Sequence, residues 1–281
     1  MSEIIAKVRR AVSLAYYTVP DPDPLVAIEL AARAGFTHVG LRPIQPSPGA
    51  PYQAFLDDPS MPRRIRDACN RHGIGILDLE FIWIDEAFDS NIYASLGELG
   101  QSLGAPSILV GGRDPDPVRL AHSFHALCDL MKPFSLNVAL EFIPYAPVAS
   151  LQDAWTVLQS AGQPDNARIL IDALHFSRSG SALDDIAALP PHLFSMVQLC
   201  DGPAAIPQGA KNIIQAARHE RLLPGEGAID LLSLLQALPQ DIAVSAEVPN
   251  DLSREQLGDE QWASNVCDAT NTILGTARPH G

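Results

Sequence analysis

Cysteine is scarce in this chain of 281 residues: Cys69, Cys128, Cys200 and Cys267 are the only four, and no two form a CxxC pair. A disulfide framework and a cysteine metal knuckle are therefore excluded, and a reducing cytoplasm is the expected home. Positive charge is also short, with 19 Lys+Arg against 33 Asp+Glu and a net charge of −14. A surface of that sign repels a phosphate backbone, so nucleic acid is not an expected partner. The one local arginine cluster, Arg63, Arg64, Arg66 and Arg71, falls on an amphipathic helix pattern and reads as its solvated face. No apolar run approaches the roughly 20 residues that span a bilayer. The start, MSEIIAKVRR, has neither an apolar stretch nor a small-residue cleavage site, so no membrane association and no secretory signal are expected. No glycine-rich GxGxxG or GxxxxGK[ST] turn follows the first candidate strand, which favours a closed barrel over a doubly wound sheet of the same strand count.

What is present is apolar and punctuated. Hydrophobic residues make up 47% of the chain, with 24 prolines and 19 glycines. That is enough for a large core, and the length suits one barrel-sized domain over residues 1–281. Short apolar runs predict strands over 11–16, 37–42, 74–81, 107–111, 137–141, 168–172, 195–199 and 242–247. Helix patterns lie between them at 24–34, 62–71, 93–103, 117–132, 148–160, 182–188, 228–238 and 260–276. Glycine follows several of these helices, as in Ala34-Gly35, His72-Gly73, Leu103-Gly104 and Ala161-Gly162, where a left-handed terminating residue is wanted. Eight strand–helix units in this length predict an α/β fold, a single (β/α)8 TIM barrel. The long turn-rich segment 43–62 follows a strand end and reads as an active-site loop.

The later strands finish in a distinctive way. Val138-Ala-Leu-Glu141, Ile169-Leu-Ile-Asp172, Met196-Val-Gln198 and Val244-Ser-Ala-Glu247 each run apolar and then stop on a side-chain oxygen. In a parallel barrel the C-terminal strand ends open on the one face that carries chemistry. Three carboxylates gathered there repel, and burial raises the cost further. A divalent cation removes that penalty, so Glu141, Asp172, Gln198 and Glu247 are candidate ligands of one metal ion. The plainer alternative is that each caps a following helix or is solvated in a loop. Four hard oxygen donors favour Mg²⁺ or Mn²⁺, with Co²⁺ also compatible.

These strand ends, together with Arg221-Leu-Leu-Pro-Gly-Glu-Gly227, resemble the xylose-isomerase-like TIM-barrel superfamily of sugar phosphate isomerases and epimerases. In that superfamily Glu, Asp, His and Glu from strands five to eight hold one divalent metal. Glu141, Asp172 and Glu247 match; Gln198 stands where many members carry histidine, and in this it is similar to the 3-dehydroshikimate dehydratase branch. The resemblance implies that Glu141 and Glu247 form the acid/base pair. It places His175, from Asp172-Ala-Leu-His175, among the catalytic residues, in the pocket near substrate oxygens, and it gives Arg221 a grip on substrate hydroxyl or carbonyl oxygen. From the sequence itself, Arg42 at the end of the second strand is either a second positive group in the site or a surface charge on a loop. Glu80, Trp83 and Tyr145 are candidates to line the mouth, and Glu226 serves either as a turn cap or in catalysis. Cys200 alternates with Gln198 and is placed facing the interior, with nothing to activate its thiol. His38, at a strand start, belongs to the opposite face.

A metal between two glutamates suits removal of a proton next to a carbonyl, through an enediolate. The expected activity is isomerisation or epimerisation of a sugar or polyol-derived ketone, with dehydration of the 3-dehydroshikimate type as the alternative. A DNA-hydrolysing relative with three zinc ions would need more than the eight histidines here and a different charge. A non-catalytic sugar-binding or accessory protein is the third reading. Only Lys132 and Lys211 follow residue 100, which leans away from a phosphorylated substrate. A homodimer through exposed helices is compatible with such a barrel.

Overall fold

The computed structural model describes residues 10–20 and 23–277; apart from Arg10, the segment read for a secretory signal lies outside them. Eight strands follow in order: β1 (Val12–Leu14), β2 (His38–Leu41), β3 (Gly75–Ile84), β4 (Ser107–Gly112), β5 (Asn137–Glu141), β6 (Ala167–Asp172), β7 (Phe194–Leu199) and β8 (Ala243–Ala246). Neighbours pair in parallel in sequence order, and β8 pairs with β1, which closes the barrel. All eight predicted strands are present. The first is shorter than predicted, and the third continues to Ile84 with register shifts at Val39/Gly40 and at Glu80/Ile82.

Around the barrel lie α1 (Pro24–Ala34), α2 (Met61–His72), α3 (Ala94–Leu103), α4 (Pro117–Met131), α5 (Leu151–Ser160), α6 (Ala173–Arg178), α7 (Leu183–Ala187), α8 (Ala210–His219), α9 (Leu231–Ala237), α10 (Asp251–Leu257) and α11 (Asp259–Thr276). Their ends are chemically specified. Asp116 precedes Pro117 and accepts from the Val118 and Arg119 amides at the start of α4. Ser150 and Asp153 form a reciprocal capping box on α5. Gly35 ends α1 at φ 92°, a conformation open to glycine at little cost. The arginines of α2 point to solvent, as its pattern predicts, while Ile65 and Ala68 face inward.

The sequence reading omitted α6, α8 and α10. Each lies after a C-terminal strand end, and two of them have fewer than eight residues, too short to show a helical period. The segment 43–60 contains no helix or strand, and Pro46 and Ser47 line the pocket above the barrel, as expected of an active-site loop. Among the described residues no helix is long and apolar enough to cross a membrane.

Two apolar layers hold the assembly. The larger packs the outward strand faces under the helices; the smaller fills the barrel itself with Leu77, Phe81, Leu109, Ala139, Leu170 and Met196. Above that plug, toward the C-terminal strand ends, the inward side chains become polar.

Candidate metal centre

Strand register brings the predicted ligands together. Asp172 and Gln198 are direct partners across β6 and β7. Gln198 in turn pairs with Ser245 on β8, two residues before Glu247, and Glu141 closes β5. All four are buried. One carboxylate oxygen of Asp172 does cap α6, accepting from the His175 amide at 2.9 Å. The capping alternative therefore holds for half of that side chain, while Oδ2 accepts from Arg221.

His175 sits inside this group. Its Nε2 lies 3.5 Å from Glu141 Oε1, and its ring meets Tyr145 edge-on. Donor atoms of Glu141, Asp172 and His175 all fall within 4.8 Å of one another, so His175 joins the candidate donors, a role not expected from the sequence. Burial lowers its pKa to about 4, outweighing the opposite pull of Asp172, so the ring is neutral and a lone pair is available at neutral pH.

Arg221 lines the cavity and is already engaged there. Rather than projecting free toward substrate, its guanidinium bridges the carboxylates: Nη1 donates to Asp172 Oδ2 at 2.5 Å and Nη2 lies 3.1 Å from Glu247 Oε2. Nε donates to the Ala217 carbonyl of α8 at 2.7 Å, and Nη1 also approaches Cys200 Sγ at 3.3 Å. Even so close to a cation, burial pushes the Cys200 thiol up to about 12, so it is not an activated nucleophile. Arg42 is no surface charge. It is fully buried and paired to Glu80 at 2.7 Å, and it lies over the Tyr17 ring at 3.8 Å. The loop after β2 pins it: the Arg42 amide donates to Gln53 Oε1, and the Gln53 amide donates back to the Arg42 carbonyl. Glu80, Trp83 and Tyr145 line the pocket, whereas Glu226 is exposed in its turn. His38 begins β2, at the far end of the barrel from the pocket.

The site carries more negative than positive charge. Asp78, Glu80, Glu141, Asp172 and Glu247 are buried with only Arg42 and Arg221 as buried guanidinium partners. The imbalance appears in their acidities. Burial, then the charges of Glu247 and Asp172, pushes Glu141 well above the usual carboxylate range. Burial raises Glu247 to about 8 although Arg221 opposes it. Asp172 alone is held low, because Arg221 and His175 outweigh its burial. Asp78, deeper in the barrel, is raised by burial and by Glu80 and Glu247. Sequence reasoning missed Asp78, which sits mid-strand beside Gly40; a Cβ on Gly40 would lie 2.8 Å from its Oδ1.

The donors present fit a hard divalent cation. Gln198 Nε2 donates to Glu247 Oε1 at 3.3 Å, while its Oε1 is buried with no hydrogen-bond partner. A buried carbonyl oxygen left unpaired costs roughly 1–3 kcal/mol, which a cation would offset. Glu141, Asp172, Gln198, Glu247 and His175 offer enough donors for such an ion, which takes about six ligands and usually keeps several waters, and oxygens predominate.

A pH dependence follows from Glu247. Between the ordinary carboxylate value of 4.5 and about 8, the folded chain keeps a proton that the unfolded chain has lost. Stability without metal is therefore expected to fall as pH rises through that window and to level off above it. Urea denaturation at several pH values measures this slope. Excess Mg²⁺ should flatten it, since metal binds the ionised carboxylates.

The open cavity above these residues encloses about 570 Å³. Gly111, on β4 beside Glu141, leaves room for one wall: a Cβ there would lie 2.5 Å from Trp83, which packs edge-on against Phe81.

Known proteins resemble this chain in sequence and fold. The inosose isomerase of Bacillus velezensis is 28% identical over 153 residues, 53% of this chain and 52% of that protein. The 3-dehydroshikimate dehydratase of Pseudomonas aeruginosa is 26% identical over 144 residues, 49% of this chain but 22% of that protein. The matches thus span about half the length of the isomerase and less of the dehydratase. Among solved structures, the IOLI protein with a bound zinc atom superposes with a TM-score of 0.79 at 20% identity, covering 95% of this chain and 99% of that one. Residues 28–266 match the family model described as xylose isomerase-like TIM barrel, and the chain belongs to that family.

Proposed function

We propose that this chain is a divalent-metal-dependent isomerase or epimerase of a sugar or polyol-derived ketone, acting by proton abstraction next to a carbonyl. The observation that carries the reading is the cluster of buried donors at the strand ends: Glu141 and Glu247 line the pocket, with Asp172 and the unpartnered Gln198 oxygen buried beside them. The inosose isomerase relative supports it. Mn²⁺ or Mg²⁺ is the expected ion, held by Glu141, Asp172, Gln198 and Glu247, with His175 in reach.

When bound, the ion supplies Lewis acidity toward a carbonyl and an adjacent hydroxyl. The side chains do the rest. Glu247 or Glu141 takes the carbon-bound proton and returns it, and burial makes both weaker acids than an exposed carboxylate when no metal is bound. Arg221 fixes the carboxylate plane of Glu247 through Nη2 and opposes the negative charge that develops beside it. Neutral His175 offers a hydrogen bond to a substrate oxygen without bringing a competing positive charge. Three of the four cysteines are buried as free thiols, in keeping with a cytoplasmic enzyme. The expected partner is a small molecule rather than nucleic acid or membrane, and pairing of two chains is compatible with this role.

A second reading, dehydration of the 3-dehydroshikimate type, is favoured by Gln198 and by the Pseudomonas aeruginosa relative. Proton NMR in D₂O with Mg²⁺ separates the two. Solvent deuterium entering a ketose without an alkene signal supports isomerisation; a vinylic or aromatic product supports dehydration. No turnover of a ketose panel, of inososes or of 3-dehydroshikimate would sink both.

A further inference from the structure

The floor of the pocket is acidic, yet its rim is not. Arg218, on α8, lines the cavity beside Tyr145. Arg113, just past β4, lies with its guanidinium 3.6 Å from the centre of the Trp83 ring, another wall of the cavity. Among the described residues neither arginine forms a salt bridge, although Asp85 acts on Arg113 from farther off and Tyr145 hydrogen-bonds to Arg218, in a chain whose acidic groups outnumber its basic ones 33 to 19. The two also feel each other: after burial, the charge of Arg218 is the next cause holding Arg113 below its ordinary pKa. Two like charges converging on one mouth are unfavourable until an anion lies between them. Stacking on Trp83 holds the planar fork of Arg113 in place, which reduces the ordering cost of a bidentate contact. A third donor set lies close by, since Nε and Nη1 of Arg42, which also lines the cavity, are buried without hydrogen-bond partners.

We propose that the substrate carries an anionic group, a carboxylate or a phosphate, seated at the mouth by Arg113 and Arg218 while its ketone end reaches the carboxylates below. This rests on the isomerase reading for the ketone end only; the anion site stands on the rim residues. A neutral polyol would leave both guanidinium groups unanswered, so the rim selects against it.

The test is calorimetric binding of three ketoses with one carbon skeleton, D-fructose, D-fructuronate and D-fructose 6-phosphate, to the Mg²⁺-loaded chain. Binding of either anion at least tenfold tighter than fructose, weakened by salt, supports the inference, and the tighter of the two identifies the group. In Arg113→Gln and Arg218→Gln that preference should fall about tenfold each. Equal binding of all three, no binding by any, or a preference unchanged in both variants overturns it. Solvent deuterium exchange in the same samples reports separately on the reaction. Anion-selective binding without exchange in any ketone contradicts the isomerase reading and leaves the anion site standing; exchange with fructose and no anion preference does the reverse.

Discussion

Glu247→Gln is expected to lower the rate of solvent-proton exchange into substrate by about 10²–10⁴-fold, the range attributed to a positioned general acid or base. Glutamine keeps the shape and one acceptor oxygen, so one of the two contacts, from Gln198 or from Arg221, can persist, because they reach different oxygens. What it loses is the ability to take a proton and the charge it offers the ion, so Mg²⁺ binding is measured by calorimetry alongside. It also removes a carboxylate that burial penalises, so the thermal midpoint of the metal-free variant should equal or exceed that of the parent. A collapsed exchange rate in a fold of undiminished stability is the signature of a chemical role. Glu141→Gln should behave in the same direction, because that side chain carries the same burden of burial and like charge. Exchange rates within a few-fold of the parent in both variants would remove the acid/base pair from the account.

Arg221→Ala is expected to have the largest effect on stability. The side chain is buried, contacts both Asp172 and Glu247, and ties α8 to the barrel through the Ala217 carbonyl. Deleting one member of a buried ion pair leaves its partner uncompensated and costs roughly 3–5 kcal/mol. Urea denaturation without metal measures that loss directly. A divalent ion should then restore part of it, since a ligand at 100 times its Kd adds about 2.7 kcal/mol to the folded state. The metal-induced gain should be larger in the variant than in the parent, where Arg221 already neutralises the same oxygens. Equal gains would show that the ion and the guanidinium do not share the Asp172 and Glu247 carboxylates.

The barrel was legible because each strand is a short apolar run bounded by polar turns, and because glycine marks the ends of helices such as α1, at Gly35. That these oxygens share one end of the barrel was legible for a related reason: in Ile169-Leu-Ile-Asp172 or Val244-Ser-Ala-Glu247 a single oxygen ends an otherwise apolar stretch, and parallel topology sends all such ends to one face. Contacts that depend on the loops were not legible. Arg221 reaches its carboxylates from the end of α8, and nothing local in that segment announces the inward turn. The burial of Arg42 depends on Gln53, eleven residues away on an irregular loop, and on Glu80 from the next strand. Asp78 lies within a strand whose register shifts at Val39/Gly40, so alternation alone could not tell which face it takes. His175 was placed in the pocket but not among the donors, because its distance to Glu141 is a tertiary fact.

Anomalous diffraction from crystals equilibrated with Mn²⁺ tests the central claim most directly. The account predicts one ion per chain at the strand ends, with the Gln198 carbonyl oxygen and the carboxylates of Glu141, Asp172 and Glu247 in its coordination sphere. An empty site at saturating Mn²⁺, or an ion that leaves Gln198 and Glu247 untouched, would contradict it.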